Sequence, residues 1–289
     1  MKKYNKVKQC PKPAPEPGIH RVDAKTYRSW DALNASTIQN FLISPKRGAY
    51  GLQCESGEPT KAMLFGTALH ARILEPDDYA ERAMQTELGP GAEVGHRKLQ
   101  EEHPDAIILR AGWGEDIEAI ARELEHHPRA SDILREKKAE KEITIVWTER
   151  MKFEGEVYEL PCKARLDFYS PAKQCVFDLK KVRQDGGEQD AFSKAIWNHG
   201  YFVQAAWYAR AAQKAALCDE RPAYGWICVE ETPPYEIDIF QASEDVMYKG
   251  WQSCLIGMRL YGNYRLTGRA PGRQIRIEEI DLPKWAEGK

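Results

Sequence analysis

The stretch Cys162-Lys-Ala-Arg-Leu-Asp-Phe-Tyr-Ser-Pro-Ala-Lys-Gln-Cys-Val-Phe-Asp-Leu-Lys180 decides the reading of this chain. Two runs with alternating apolar positions flank a turn at Ser170–Gln174. Successive side chains on a strand point to opposite faces, so residues two apart share a face. Strict alternation places Lys163, Arg165, Asp167 and Tyr169 on one face of the first run, and Cys162, Ala164, Leu166 and Phe168 on the other. In the second run Val176, Asp178 and Lys180 share a face, opposite Cys175, Phe177 and Leu179. A hairpin between the runs brings Asp167 beside Asp178, with Lys180 next along. Two carboxylates and an ammonium on one patch suit a hard divalent cation with a proton-handling or charge-neutralising neighbour.

Working outward, Glu142–Glu149 (E-I-T-I-V-W-T-E) reads as a strand from its β-branched content and alternation. A turn at Phe153–Val157 leads into the next strand, so 142–149, 158–169 and 174–180 form an antiparallel meander. Glu142 reads as an exposed strand-end glutamate, with a supporting carboxylate at the site as the alternative. After Lys180 the segment Lys181-Val-Arg183-Gln-Asp-Gly-Gly is a basic, flexible loop. A helix follows from about Glu188 to Asn198 and breaks at His199-Gly200. A second, alanine-rich helix runs from Tyr201 to Leu217. Gln204 and Tyr208, four apart, share a face of it. Strands are expected at Ala223–Glu230 and Tyr235–Phe240. Ser243 caps a last helix to about Tyr261. The polar remainder carries Arg265, Arg269, Arg273 and Arg276, either solvated or against nucleic acid or a sister subunit.

Toward the N-terminus, residues 1–17 read as an extended, unpacked tail, because Pro11, Pro13, Pro15 and Pro17 alternate with polar or small residues. Residues 18–289 are taken as one domain with a helical N-terminal part. In that part Ser36 is expected to cap a helix that Ser44-Pro45 ends, with Lys46 and Arg47 following it. Lys61–Leu74 (K-A-M-L-F-G-T-A-L-H-A-R-I-L) has an apolar helical stripe and stops at Glu75-Pro76. Its Gly66, Thr67 and Ala68 are small enough for close packing. His70, alone on this apolar helix, reads as a boundary residue rather than a metal ligand. Residues 77–104 read as a loop with one short helix, 107–110 as a short strand or a lead-in to a helix. Residues 114–138 are helical with a break at His126-His127-Pro128. Adjacent histidines on a helix diverge, so that pair is no metal site.

The chain has 289 residues, 42% hydrophobic and 30% charged, which is ordinary for a globular protein. A net charge of −2 excludes a general basic coat but not a local basic groove. There is no run of about 18 apolar residues to span a membrane, and the basic N-terminus lacks the apolar region of a signal peptide. The seven cysteines are scattered, without a C-x-x-C. That fits a reducing cytosol with thiols acting as small core residues, and supports neither a zinc ribbon nor a four-cysteine iron–sulfur cluster.

With 42 Lys+Arg and 44 Asp+Glu in the chain, a lone D-x-K arises by chance. Four motifs in order carry more weight: Gly66-Thr-Ala-Leu-His70, Cys162-Lys-Ala-Arg-Leu-Asp167, Asp178-Leu-Lys180 and Gln204-Ala-Ala-Trp-Tyr208. Together they resemble the PD-(D/E)XK nuclease superfamily, most of all its RecE-type (exonuclease VIII) branch, related to the RecB nuclease domain. The resemblance covers most of residues 19–262. It implies an α/β (α+β) fold with a central mixed sheet flanked by helices. It also implies that His70 is a metal ligand together with Asp167, Asp178 and the carbonyl of Leu179. Lys180 would orient or deprotonate the attacking water, or steady the charge of the transition state. Gln204 and Tyr208 would border the site and touch DNA, while Lys181 and Arg183 would track phosphates. One departure stands out, since the family usually continues D-L-K-T and here Lys181 follows Lys180.

The same resemblance implies Mg2+ as cofactor, with Mn2+ as a substitute. It implies an exodeoxyribonuclease on linear double-stranded DNA ends, degrading 5′ to 3′ to leave 3′ overhangs. A ring-like homo-oligomer, a RecT-like single-strand annealing partner, and a phage or prophage origin in a bacterial cytoplasm are implied as well. The alternatives are a RecB-like single-strand or CRISPR-associated nuclease, and a catalytically inactive DNA-binding module.

Overall fold

A computed structural model describes residues 12–53, 58–89, 91–153, 156–273, 277, 279 and 280. Cys10, Cys54, Arg276 and the first eleven residues of the expected tail lie outside the described residues. The N-terminal part contains β1 (Lys12–Pro13), β2 (Gly18–His20), α1 (Ala24–Ser29), β3 (Trp30–Asp31), α2 (Ala35–Ile43) and α3 (Pro45–Gln53). Then come α4 (Lys61–Leu74), α5 (Pro76–Arg82), β4 (Ala83–Gln85), α6 (Glu93–Glu102), β5 (Ile107–Leu109), α7 (Trp113–His126) and α8 (Pro128–Leu134). The remainder is β6 (Glu140–Phe153), β7 (Glu156–Ser170), β8 (Cys175–Val182), α9 (Gln189–Asn198), α10 (Tyr201–Lys214), β9 (Ala223–Glu230), β10 (Ile237–Gln241) and α11 (Glu244–Thr267).

Six strands form the central sheet in the order β10-β9-β8-β7-β6-β2. The pair β8–β9 is parallel and the other neighbours are antiparallel. Parallel neighbours need a long crossover, and α9 and α10 provide it. The fold is therefore the mixed α/β arrangement expected, with helices on both sheet faces. One core is built against α2, α10 and α11 around Trp207, Trp226 and Phe41. The other is built against α4, α7 and α8 around Leu69, Ile117 and Ile120.

The meander β6–β7–β8 matches its expected order, and α4 and β9 match residue for residue. Several details differ. Asn34 rather than Ser36 caps α2, its side chain accepting from Thr37 N. Asn34 directly precedes the first helical residue, so its side-chain oxygen reaches the free amide of the third, Thr37. Ser44 ends α2 and its hydroxyl accepts from Arg47 N, so Lys46 and Arg47 open α3 instead of trailing a helix. A proline is tolerated in a first helical turn because its missing N–H has no partner there. Residues 77–104 hold most of α5, β4 and α6 rather than one short helix, and β4 pairs in parallel with β5. Lys12–Pro13, placed in the tail by sequence, pair with Trp30–Asp31. Gly66 is not a close-packing position, since a Cβ there would meet nothing within 4 Å. Cys162, Cys175, Cys228 and Cys254 are buried free thiols, as expected of small core residues, and Cys218 is half-buried. Among the described residues no helix is long and apolar enough to cross a membrane.

Candidate metal centre

Strict alternation fails at one point of β7, and that point carries the site. Leu166 and Tyr169 both join the core under α10, whereas Phe168 joins the core under α4. The predicted grouping of Phe168 with Leu166 is therefore wrong, as is that of Tyr169 with Asp167: the face changes around Asp167. The ladder with β8 covers only Phe168↔Phe177, Tyr169↔Val176 and Ser170↔Cys175. The next level, where Asp167 faces Asp178, is unpaired because the strands diverge. A side-chain bond takes over there: Leu179 N–H donates to Asp167 Oδ2 at 3.1 Å.

The neighbouring strand is distorted at the same level. The β6–β7 register runs Lys141↔Phe168 and Ile143↔Leu166, which leaves Glu142 opposite Asp167 without a ladder pair. Glu142 has φ +48°, a left-handed conformation that a residue with a Cβ adopts at a cost of about 1–2 kcal/mol. Such strain persists only where surrounding contacts hold it. Here Arg165 Nε donates to Glu142 Oε2 at 2.7 Å, and Arg165 also donates to Val22 O. Glu142 is thus enclosed, not the exposed strand-end residue expected.

His70 reaches this point from α4. Its Nδ1 lies 3.6 Å from Asp167 Oδ2 and 3.8 Å from Glu142 Oε1, and its Nε2 lies 2.8 Å from Leu179 O. Ligand atoms of His70, Glu142 and Asp167 all lie within 4.8 Å of one another. In an octahedron with bonds of about 2.1 Å, adjacent ligands are about 3 Å apart. Two carboxylates and the imidazole Nδ1 at these separations fit a hard divalent ion, with water completing the shell, while the Leu179 carbonyl meets the opposite ring nitrogen, Nε2. Burial alone would lower the His70 pKa, but Asp167, Glu142 and Asp178 outweigh it and raise it to about 9. Burial works to raise the Glu142 pKa, yet His70 and Arg165 hold it below the usual carboxylate value.

Asp178 and Lys180 face α10. Lys180 Nζ forms an ion pair with Asp178 Oδ2, and Gln204 bridges the two. Gln204 Nε2 donates to Asp178 Oδ1 at 3.2 Å, and Lys180 Nζ donates to Gln204 Oε1 at 3.3 Å. The Tyr201 ring lies under the same ammonium, 4.7 Å from its centroid. Burial raises the Asp178 pKa to about 6, against the pull of Lys180 and with the help of Asp167. Burial disfavours the Lys180 cation, but Asp178 and Asp167 more than compensate and its pKa is raised. Gly200 at φ +67° turns α9 into α10, and its carbonyl accepts from Gln39 Nε2 at 2.8 Å. A Cβ there would press within 2.9 Å of that side chain, so the glycine fixes where Tyr201 and Gln204 stand.

The other expected residues are placed less centrally. Tyr208 lies beside Gln204, and burial raises its pKa well above the usual tyrosine value. Lys181 points to the α4 face, pairs with Glu231 and sits 5.7 Å from the Phe65 centroid. Its charge is matched within the protein by Glu231. Arg183 is exposed in the loop after β8.

Glu142 is the residue that reading by type and position undervalued. The signal was present in the register, because a β6–β7 hairpin that pairs Ile143 with Leu166 puts Glu142 level with Asp167.

The chain is similar in structure to a candidate exonuclease from Eubacterium rectale, at TM-score 0.57 and 14% identity, covering 93% of this chain and 98% of that one. A phage-related exonuclease from Haemophilus somnus 129PT aligns at TM-score 0.33 and 14% identity, covering 82% and 96%. No functionally curated protein matches the chain by sequence. Residues 34–282 match one family over most of the chain's length, and the protein belongs to that family, the PDDEXK-like domain of unknown function DUF3799.

Proposed function

We propose that the protein is a metal-dependent deoxyribonuclease acting on the ends of linear double-stranded DNA, of the RecE type. The observation that carries this reading is the convergence of His70, Glu142 and Asp167, whose ligand atoms lie within 4.8 Å of one another, together with a lysine held by Asp178 and Gln204. Phosphodiester hydrolysis needs an activated water and relief of negative charge on the phosphate. A divalent ion supplies both, by lowering the pKa of water and by binding a non-bridging oxygen. Mg2+ is the ion proposed, with Mn2+ as substitute, because the donors are mainly oxygens.

The chain's own residues divide the remaining work. His70, Glu142 and Asp167 would hold the ion, and the Leu179 carbonyl, bonded to His70 Nε2, orients the imidazole. Asp178 faces the same level of the sheet and completes the negative field. Lys180 is kept protonated by Asp178 and Asp167, so it donates hydrogen bonds and steadies charge on the phosphate. Gln204 fixes the ammonium by accepting from it while donating to Asp178. Arg165 fixes the strained Glu142. Degradation from the 5′ end, a ring-like homo-oligomer and a RecT-like annealing partner belong to the same reading and rest on the motif resemblance.

Linear duplex labelled at the 5′ or 3′ end, and circular duplex, incubated with Mg2+ and with EDTA, test the proposal. Loss of the 5′ label from linear DNA with Mg2+ alone is expected. Cutting of circles would overturn the exonuclease claim, and absence of any metal-dependent cutting would overturn the enzyme claim. Light scattering reads the subunit number.

A further inference from the structure

Trp197 is the one exposed tryptophan among the described residues, at 63% exposure. It stands in the last turn of α9, five residues beyond the buried Phe192 and therefore turned well away from the core. Its indole lies parallel to the Phe202 ring, at 7° and 5.3 Å between centroids. Phe202 covers one face, and an indole this exposed presents the other to solvent. Exposed apolar side chains are ordinary when scattered singly, but this one is tied to the candidate site. The Trp197 carbonyl accepts from Gly200 N–H at 3.2 Å, and the Gly200 carbonyl accepts from Gln39 Nε2 at 2.8 Å. These bonds fix Trp197 on the same turn that sets Tyr201 and Gln204 against Lys180.

A row of rings leads from Lys180 outward along this turn. Lys180 Nζ lies 4.7 Å from the Tyr201 centroid, and the Tyr201 ring lies 5.4 Å from the ring of His199, which is exposed. About three nucleotides, at about 3.4 Å of rise each, span that row. Residues 197–201 therefore hold the ammonium at one end and the open indole at the other. Lys194, Asn198 and His199 are exposed around Trp197, and Lys194 lies three residues before it on the same side of α9. The acids Glu188 and Asp190 stand at the opposite end of the helix, about 10 Å or more away along its axis. A fixed ring face beside a lysine suits a base of a single strand, with the ammonium near its phosphate. A protein partner would call for a wide apolar patch, whereas the exposed chain neighbours of Trp197 are polar.

We infer that the open face of Trp197 stacks on an unpaired base of the DNA strand whose phosphate lies at Lys180. The inference rests on the deoxyribonuclease reading for its substrate. It adds a base contact on the α9–α10 turn, outside the metal centre.

The test reads binding rather than cleavage. Linear duplex with a short unpaired 5′ end, carrying 2-aminopurine at one position per molecule, is titrated in EDTA with the full chain. Stacking quenches this base, and one position is expected to be quenched on binding. Trp197→Ala is expected to restore the fluorescence at that position and to weaken DNA affinity about tenfold, the scale of one base–aromatic stack. Trp197→Phe, which keeps a ring face, is expected to retain most of both. Wild-type binding without quenching at any position overturns the platform, as does a Trp197→Ala variant that keeps both the quenching and the affinity. Trp197→Ala that alters the subunit number in light scattering while DNA affinity is kept also overturns it, and assigns this face to a second copy of the chain. The wild-type scan decides the matter even if Trp197→Ala fails to fold. Quenching and affinity loss in a protein that cuts no DNA with any metal count against the proposed nuclease activity, not against the platform.

Discussion

The two faces of the central sheet treat charge differently at the same level of the fold. Facing α4, His70, Glu142 and Asp167 bring two carboxylates to one nitrogen of an imidazole whose other nitrogen meets Leu179 O. Facing α10, Asp178, Lys180 and Gln204 close among themselves in one ion pair and two hydrogen bonds. The first set has an excess of negative charge and pulls the His70 pKa to about 9. The second has already matched its charges. Under the proposed function, metal binding falls to the α4 face and the positioning of one ammonium to the α10 face. Both sets depend on the splay between β7 and β8 that begins past Phe168↔Phe177.

The strongest way to break this division is Asp167→Asn. It sits at the splay itself, and its loss is expected to lower metal-dependent cleavage about thousandfold or more. The metal-induced rise in Tm should disappear with it while the far-UV circular dichroism is kept. Retained cleavage would refute the site.

Glu142→Gln and Lys180→Ala separate the two faces. Glu142→Gln is expected to weaken metal affinity about 10–100-fold, read by calorimetric titration. Lys180→Ala is expected to lower kcat about hundredfold with metal affinity kept. If both variants lose metal affinity equally, the faces do not divide the work.

Structural support has its own test. Trp207 is fully buried, and its Nε1 donates to Lys163 O at 3.1 Å, which ties α10 to β7. Trp207→Ala is expected to cost about 3–5 kcal/mol in denaturant unfolding. An unchanged midpoint would mean that α10 is anchored elsewhere.

The pH dependence follows from His70 in the metal-free protein. Its folded pKa of about 9 is above the value near 6.5 of an unfolded histidine. The proton therefore binds more tightly to the folded state, and this stabilisation is fully present below about pH 6.5. It is lost as pH rises through about 9. His70→Asn is expected to flatten that part of the stability profile. Metal binding by the wild type should release a proton at pH 7.5, seen as a dependence of binding heat on buffer ionisation enthalpy. A heat independent of buffer would show the imidazole already neutral.

The smallest effect is expected at Lys181, where Glu231 neutralises the charge away from the metal centre. Lys181→Thr should change stability by about 1 kcal/mol or less. A large loss of DNA affinity would return Lys181 to the substrate path.

Sequence alone determined the meander and the helix bearing His70. Those are local properties: alternation sets strand faces, and apolar stripes and caps set helices within a few residues. The helical motifs around His70 and Gln204 were also legible, through their order along the chain. What alternation could not show is the change of face around Asp167, because strict parity assumes a regular ladder and this ladder ends there. Only the tertiary structure drew Glu142 into the site, since its left-handed backbone and its Arg165 partner come from contacts across β6 and β7. The same is true of Lys181, whose Glu231 partner is 50 residues away. Each depends on which side chains meet across distant segments, and local periodicity carries no information about that.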